Sequence, residues 1–261
     1  MPTLDPAPKW ERFYPDRVVG AHVLVFDEVG STMDVARGIV LAGAPHGTVV
    51  RAETQRTGRG RFSRRWESGT GDSLLTSVVL RMPPVGVGAP LSVAGSLAVH
   101  ETVEEILGVQ CEIKWPNDVQ VGGRKIAGVL VESQITTDGT GFAILGIGLN
   151  VNLTPDAFAG IAETATSLAI ESGGPMDVDR VEEALLRHLD KALTALANGA
   201  TSVIAQWRKH LATLGEQVNV HTRDGVVSGE AVNVDEQGAL LLRDSRGTVH
   251  RLLEGDVTLR A

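Results

Sequence analysis

Short, mostly apolar runs bounded by turn-forming residues open the chain's pattern, and they predict strands at His22–Phe26 (HVLVF), Gly47–Ala52 (GTVVRA) and Ser73–Leu80 (SLLTSVVL). After the first of these, Ser31-Thr32-Met33-Asp34 places Ser31 as an N-cap and Asp34 at N3, a capping-box-like acid ahead of a helix to Leu41. Val93, Leu97, Val99, Val103 and Ile106 recur at helical spacing, predicting a helix over Leu91–Leu107. Four strands are expected next, at Glu112–Trp115, Val119–Val121, Lys125–Glu132 and Gly141–Asn150. Asp138-Gly139 separates the last two and favours a turn, so they should form an antiparallel hairpin. Val178–Ala197 is amphipathic with a helical period, and Ser202–Leu214 is expected to be a further helix. Residues 1–20, rich in proline, are expected to be an extended lead-in.

Past Gly215 the pattern changes to alternation, punctuated by Asp224-Gly225, Gln237-Gly238 and Arg246-Gly247. That predicts a small all-β barrel over residues 215–261, joined to a larger domain over residues 1–214. The larger domain mixes consecutive strands with helices instead of repeating βαβ units. The expected class is therefore α+β, a mixed sheet with helices packed on it. With 261 residues and 43% apolar content the chain can bury a substantial core.

Charge sharpens the picture. The formal net charge is −8, which opposes bulk nucleic-acid binding. Yet the stretch from Thr54 to Trp66 holds five arginines (Arg56, Arg59, Arg61, Arg64, Arg65) and no acid, threaded with glycine. Guanidinium groups bind phosphate bidentately, and glycine lets backbone N–H groups approach an anion. Taken alone, the stretch reads equally as a solvated basic loop; a nucleoside triphosphate suits its scale better than a nucleic acid does.

Three further stretches carry candidate chemistry. Lys114 to Val119 (KWPNDV) brings an amine, the Asn117 amide and the Asp118 carboxylate close in sequence, a set able to hold phosphate and a divalent cation; an Asn-Asp turn after Pro116 is the plainer account. Lys125 opens an apolar strand, where alternation puts it on the face of Ala127, Val129 and Val131. A lysine there snorkels or meets an anion, and Gly128 falls on the opposite face unless the strand bends. In AILGIGLNVN, Ile144, Gly146, Gly148 and Asn150 share one face, whose central glycines admit a ligand or another backbone.

In this order, GSTMDVA, ETQRTGRGRFSRRW, SLLTSVVLR, KWPNDV, GGRKIAGVLVE and GIGLNVN resemble the biotin–protein ligases (biotin–[acetyl-CoA-carboxylase] ligases) from about Val25 to Asn152, and the β-rich C-terminus agrees in size and place. The resemblance implies a class II synthetase-like catalytic domain with an SH3-like C-terminal barrel. It implies an enzyme that joins biotin to ATP as biotinyl-5′-AMP, with Mg²⁺ bound alongside ATP, then transfers biotin to a lysine of a biotin carboxyl carrier domain of acetyl- or acyl-CoA carboxylases. Carried over by position, Ser31, Thr32, Met33, Gln55, Gly58, Arg59, Gly60, Arg61, Lys125, Gly128 and Gly148 would meet biotin. Arg61, Arg64, Trp66, Lys114, Asn117, Asp118, Lys125 and Asn150 would meet ATP. Lys125, Arg61, Asp118 and Lys114 would carry the chemistry. Met33 stands where the family often has Asn, and Ser63 where it commonly has Gly.

The alternatives are a lipoate–protein ligase, a biotin-responsive regulatory binding protein and a catalytically dead sequesterer of biotin. Some relatives carry an N-terminal winged helix-turn-helix; the short lead-in predicts a ligase without DNA recognition. Cys111, the only cysteine, excludes an intrachain disulfide and, with no apolar run long enough for a bilayer, points to the cytoplasm. Among the seven histidines none pairs with another His, Cys or acid at metal-ligand spacing, so no zinc site is expected.

Overall fold

The computed structural model describes residues 6–81, 88–135, 141–158 and 163–259, the side chains of Ser63 and Leu259 excepted. Eight strands make the larger sheet: β1 (Trp10–Phe13), β2 (His22–Val29), β3 (Val49–Gln55), β4 (Ser73–Arg81), β5 (Glu112–Lys114), β6 (Asp118–Val121), β7 (Arg124–Ile135) and β8 (Gly141–Asn150), in the order β1-β2-β3-β4-β8-β7-β6-β5. Among these described strands β2 and β3 are the one parallel pair, joined through helix α1 (Thr32–Leu41). The Lys125–Asn150 region forms the expected antiparallel pair, while its Asp138-Gly139 turn lies outside the described residues.

Each face of this sheet buries its own set of side chains. Leu74, Val78 and Leu80 of β4 and Leu145, Ile147 and Leu149 of β8 point to the face covered by α2 (Gly88–Leu107), α4 (Val178–Ala197) and α5 (Ala200–Arg208). The short helix α3 (Leu168–Ser172) packs beside α2. Val79 of β4 and Phe142 and Ile144 of β8 point the other way, under Met33, Ala36, Ile39 and Val40 of α1. On this second face α1 covers only one end of β8, and Gly146 and Gly148 continue the same face beyond it. The cavity described below lies there.

Residues 217–259 form a second sheet, β9 (Gln217–Thr222), β10 (Gly225–Val234), β11 (Leu240–Arg243), β12 (Val249–Leu252) and β13 (Asp256–Leu259), in the order β12-β11-β10-β9-β13. Val218, Val220, Leu240, Leu242 and Val257 join the same buried cluster as the helices. Trp115 links the two sheets: it is 1% exposed and its indole N–H donates to the Gly238 carbonyl at 3.0 Å.

Several expectations need correction. The lead-in contains β1, whose alternating Trp-Glu-Arg-Phe pairs with β2 from Trp10↔Val25 to Phe13↔His22; no continuous apolar run advertised it. The last helix stops at Arg208 instead of Leu214, because the Ile113 N–H donates to the His210 carbonyl (2.8 Å) and the Ala212 N–H to the Ile113 carbonyl (3.0 Å). Residues 210–212 thereby cover the open edge of β5, where unpaired backbone would otherwise face water.

Lys125 also departs from simple alternation. Asp118↔Gly128 and Val119↔Ala127 pair in step, but the next pair is Gln120↔Lys125, so Ile126 is an extra residue in β7. A bulge reverses the phase of every residue before it. Lys125 therefore shares the Gly128 face, while Ile126 and Ala127, both fully buried, enter the core at this point.

Candidate active site

A cavity of about 150 Å³ opens on the second face of the sheet. Its floor is glycine. Gly128 pairs directly with Gly148, and Leu130 with Gly146, so two adjacent strands present backbone where side chains would otherwise stand. What lies on them shows the close approach: a methyl group built on Gly148 would come within 2.5 Å of the Trp66 indole, and one on Gly146 within 2.9 Å of the Met33 sulfur. Met33 is thus an apolar wall against the floor.

One end of the cavity is polar and neutral. The Thr32 N–H and hydroxyl both donate to Gln55 Oε1, at 2.8 and 3.0 Å, and the Thr32 hydroxyl lies 2.8 Å from that of Ser77. Helix geometry sets this up, since Ser31 caps α1 by accepting from the Met33 N–H and so fixes Thr32 in the first turn. Such a cluster offers donors and acceptors without charge, which suits a neutral group carrying both.

The opposite end is charged. Lys125 Nζ lies 2.6 Å from Asp118 Oδ1, both partly exposed to the cavity. Asn117 holds this corner onto β7: its amide donates to the Val129 carbonyl and its own carbonyl accepts from the Val129 N–H at 3.1 Å. Arg61 enters from above, donating to the Gly255 carbonyl at 2.9 Å and approaching Asn117 Oδ1 at 3.4 Å. Burial pushes its guanidinium's proton affinity down, while Asp118, Glu254 and Asp256 pull it back up. Arginine keeps its charge through such a shift.

The basic stretch folds into a flap over these groups. The Gly60 N–H donates to the Arg64 carbonyl (2.7 Å) and the Trp66 N–H to the Gly58 carbonyl (3.0 Å), closing a small loop around Phe62, whose φ is +53°. Gly58 is dictated by space, because a methyl there would sit 2.6 Å from the Trp66 carbonyl oxygen. Trp66 lies across the floor with Lys125 Nζ 5.6 Å from its ring. Its indole N–H is buried with no partner among the described residues, a donor that a ligand would satisfy.

The five arginines do not converge on one anion. Arg59 donates to Asp34 on α1 (2.7 Å) and to Glu132 on β7 (3.2 Å), Arg56 pairs with Glu28, and Arg64 pairs with Asp256 of β13. Of the residues named from sequence, Ser31, Thr32, Met33, Gln55, Arg59, Gly60, Arg61, Arg64, Trp66, Asn117, Asp118, Lys125, Gly128 and Gly148 line the cavity. Lys114, Asn150 and Gly58 do not. Lys114 lies on the edge strand β5, one strand too far; Asn150 is buried at the end of β8 with its amide donating to the Thr166 carbonyl at 2.9 Å.

Sequence reasoning missed Ser77 and Asp256. A hydroxyl pair inside the apolar run SLLTSVVL was a usable signal for Ser77. Nothing local marked Asp256. The histidine expectation is also corrected: ligand atoms of His100, Glu104 and Cys111 lie within 4.8 Å of one another, with the His210 ring 4.0 Å from that of His100. His100 and Glu104 are one helical turn apart on α2, a spacing that signals such a meeting. Burial nevertheless pushes the Cys111 thiol up to about 12, and it stays protonated, donating to the His100 carbonyl.

Residues 25–152 match the Biotin/lipoate A/B protein ligase family and residues 213–260 the biotin protein ligase C-terminal domain. The chain is 34% identical over 259 residues to the biotin–[acetyl-CoA-carboxylase] ligase of Mycobacterium tuberculosis, covering 95% of this chain and 94% of that one. It is 33% identical to the bifunctional ligase/repressor BirA of Bacillus subtilis, covering 93% of this chain and 75% of the relative. Among solved structures it is similar to the biotin protein ligase from Aquifex aeolicus in complex with biotin and ATP, with a TM-score of 0.77, 28% identity, and coverage of 91% and 98% of the two chains.

Proposed function

The chain belongs to the biotin protein ligase family, and from that premise we propose how its own residues divide the work. It is an ATP-dependent ligase: biotin and ATP give biotinyl-5′-AMP and pyrophosphate, and the biotinyl group then passes to a protein lysine with release of AMP. The acceptor is the carrier domain of a biotin-dependent carboxylase, as the names of its relatives suggest.

The neutral end holds the ureido ring of biotin: Thr32, Gln55 and Ser77 offer it donors and acceptors, Ser31 orders them, and the glycine floor takes the flat ring system. The biotin carboxylate then points toward Lys125. Two anions must meet at this end, so positive charge has to precede bond formation. Lys125 and Arg61 supply it, flanking the carboxylate and the α-phosphate. The carboxylate oxygen attacks phosphorus, the bond to the β-phosphate breaks, and pyrophosphate departs. No base is needed, because the nucleophile is already ionised.

In the second step the lysine amine attacks the anhydride carbonyl and AMP leaves, so a proton must be removed from the amine. Asp118 takes that role; its carboxylate faces the cavity and its pair with Lys125 orients it. Asp118 and Asp256 are also the carboxylates at the charged end, a donor set that fits Mg²⁺ arriving with ATP phosphates, and such an ion would supply further neutralising charge. Trp66 faces the nucleotide with its free indole N–H. Lys114 and Asn150 stand outside this assignment. Residues 1–214 carry the site apart from Asp256, which residues 215–261 contribute.

The observation that carries the proposal is the placement of Lys125 on the glycine floor, brought there by the bulge at Ile126. Biotin-dependent exchange of labelled pyrophosphate into ATP measures the first step directly. Exchange with biotin, undiminished by excess lipoate, is expected. Exchange driven by lipoate instead, or none at all, refutes the assignment of the neutral end.

A further inference from the structure

Arg59 stands apart from the other flap arginines in what it touches. Its guanidinium lies between two carboxylates from different elements, Asp34 Oδ2 at 2.7 Å and Glu132 Oε1 at 3.2 Å. The hydrogen bond to Asp34, aided by Glu132, raises its proton affinity further. Glu132 is itself held from the other side by Arg37, which also donates to Gln134 at 3.2 Å. The charges alternate along a chain, Arg37, Glu132, Arg59 and Asp34. Asp34 and Arg37 lie one helical turn apart on α1, so the helix grips Arg59 directly and Glu132 through its other end.

We propose that Asp34 and Glu132 are positioning residues that hold Arg59, and through it the flap, closed over the biotinyl-adenylate until the acceptor arrives. The proposal rests on the biotin-ligase reading of the cavity. Asp34 and Glu132 line no part of that cavity, so their effect reaches the ligand only through the flap. The other side of the flap is tied separately, by Arg64 to Asp256 and by Arg61 to the Gly255 carbonyl. A lid needs closure strong enough to keep water from the mixed anhydride and weak enough to reopen every turnover. Partly exposed ion pairs meet both demands, since each contributes little and salt screens it. The side chains of Asp34, Arg59 and Glu132 are 56%, 33% and 28% exposed, within that regime.

The test follows preformed, radiolabelled biotinyl-5′-AMP on the full-length enzyme, chased with unlabelled biotin and ATP. Asp34→Asn and Glu132→Gln are each expected to release it roughly 3- to 10-fold faster at low salt. Biotin-dependent pyrophosphate exchange at saturating substrate should stay at the level of the unsubstituted enzyme. High salt should bring the unsubstituted enzyme toward the variants, whose own release should change less because each has one ion pair fewer to screen. With Arg59→Gln already present, Asp34→Asn should add nothing. Release unchanged in both neutralised variants, or effects that simply add to Arg59→Gln, overturns the latch. Loss of pyrophosphate exchange in the unsubstituted enzyme refutes the biotin-ligase reading itself, so the two failures are distinct.

Discussion

The floor and the flap of the cavity are both rich in glycine, yet they are built on opposite principles. In the floor, Gly128, Gly146 and Gly148 sit in adjacent paired strands whose backbone groups are hydrogen-bonded and whose reverse face is core. Their glycines remove side chains from the floor, so that neighbouring groups such as Trp66 and Met33 lie directly against backbone. In the flap, Gly58 lets the chain pass close to itself, and the surrounding arginines are held by acids from α1, β7 and β13. The floor is rigid because removing it would break a sheet; the flap is closed because several weak ion pairs agree. A shape that recognises a substrate is best made from the first kind of structure, and a part that must open from the second.

Substitutions can break this contrast in order of effect. Gly148→Val should be the most damaging, because the new side chain meets the Trp66 indole and fills the floor. Adenylate formation should fall by about 100-fold or more in pyrophosphate exchange, with thermal unfolding little changed since valine suits a strand. Lys125→Ala and Arg61→Ala remove charge from the reacting centre, and each should lower the same rate by about 100-fold, in kcat more than in KM. Lys125→Arg, keeping charge but not shape, should recover part of this; a wild-type rate for Lys125→Ala refutes its role.

Arg59→Ala leaves the floor intact and unlatches the flap. Adenylate should form but escape, seen as roughly tenfold more free biotinyl-AMP and stray biotinylation of bystander protein in a quenched time course. Asp256→Asn should be mildest, raising the KM for ATP about threefold at low salt and less at high salt, by steady-state assay. If floor variants proved as salt-sensitive as flap variants, the distinction drawn between them would collapse.

How much of this was visible beforehand differs between the same two regions. The face shared by Ile144, Gly146 and Gly148 follows from alternation, the helix cap at Ser31 from the Ser-Thr-Met-Asp pattern, and the polar corner at Asn117 and Asp118 from their closeness in sequence. Alternation alone puts Lys125 on the face away from Gly128, because a period of two assumes no bulge and Ile126 is one. Asn150 shares the glycine face but turns to Thr166, since strand parity sets a side chain's direction and not its partner. The arginine stretch was legible as a basic loop, yet the fates of its members were not. Arg59 lines the cavity as the resemblance implies, but its ion pairs with Asp34 and Glu132, from separate elements, carry no local signal.

The sequence by itself determined where most strands and the long helices lie, β1 and the end of the last helix excepted, which face of β8 is bare and which residue types meet there. Those follow from interactions between near neighbours, where periodicity, capping and turn chemistry act over a few residues. Tertiary structure alone decided that Asp256 joins the cavity from the C-terminal sheet, that Lys125 shares a face with Gly128, and that Arg59 meets Asp34 and Glu132. Each depends on groups far apart in the chain meeting in space, and no local period encodes the partner an exposed charge will find.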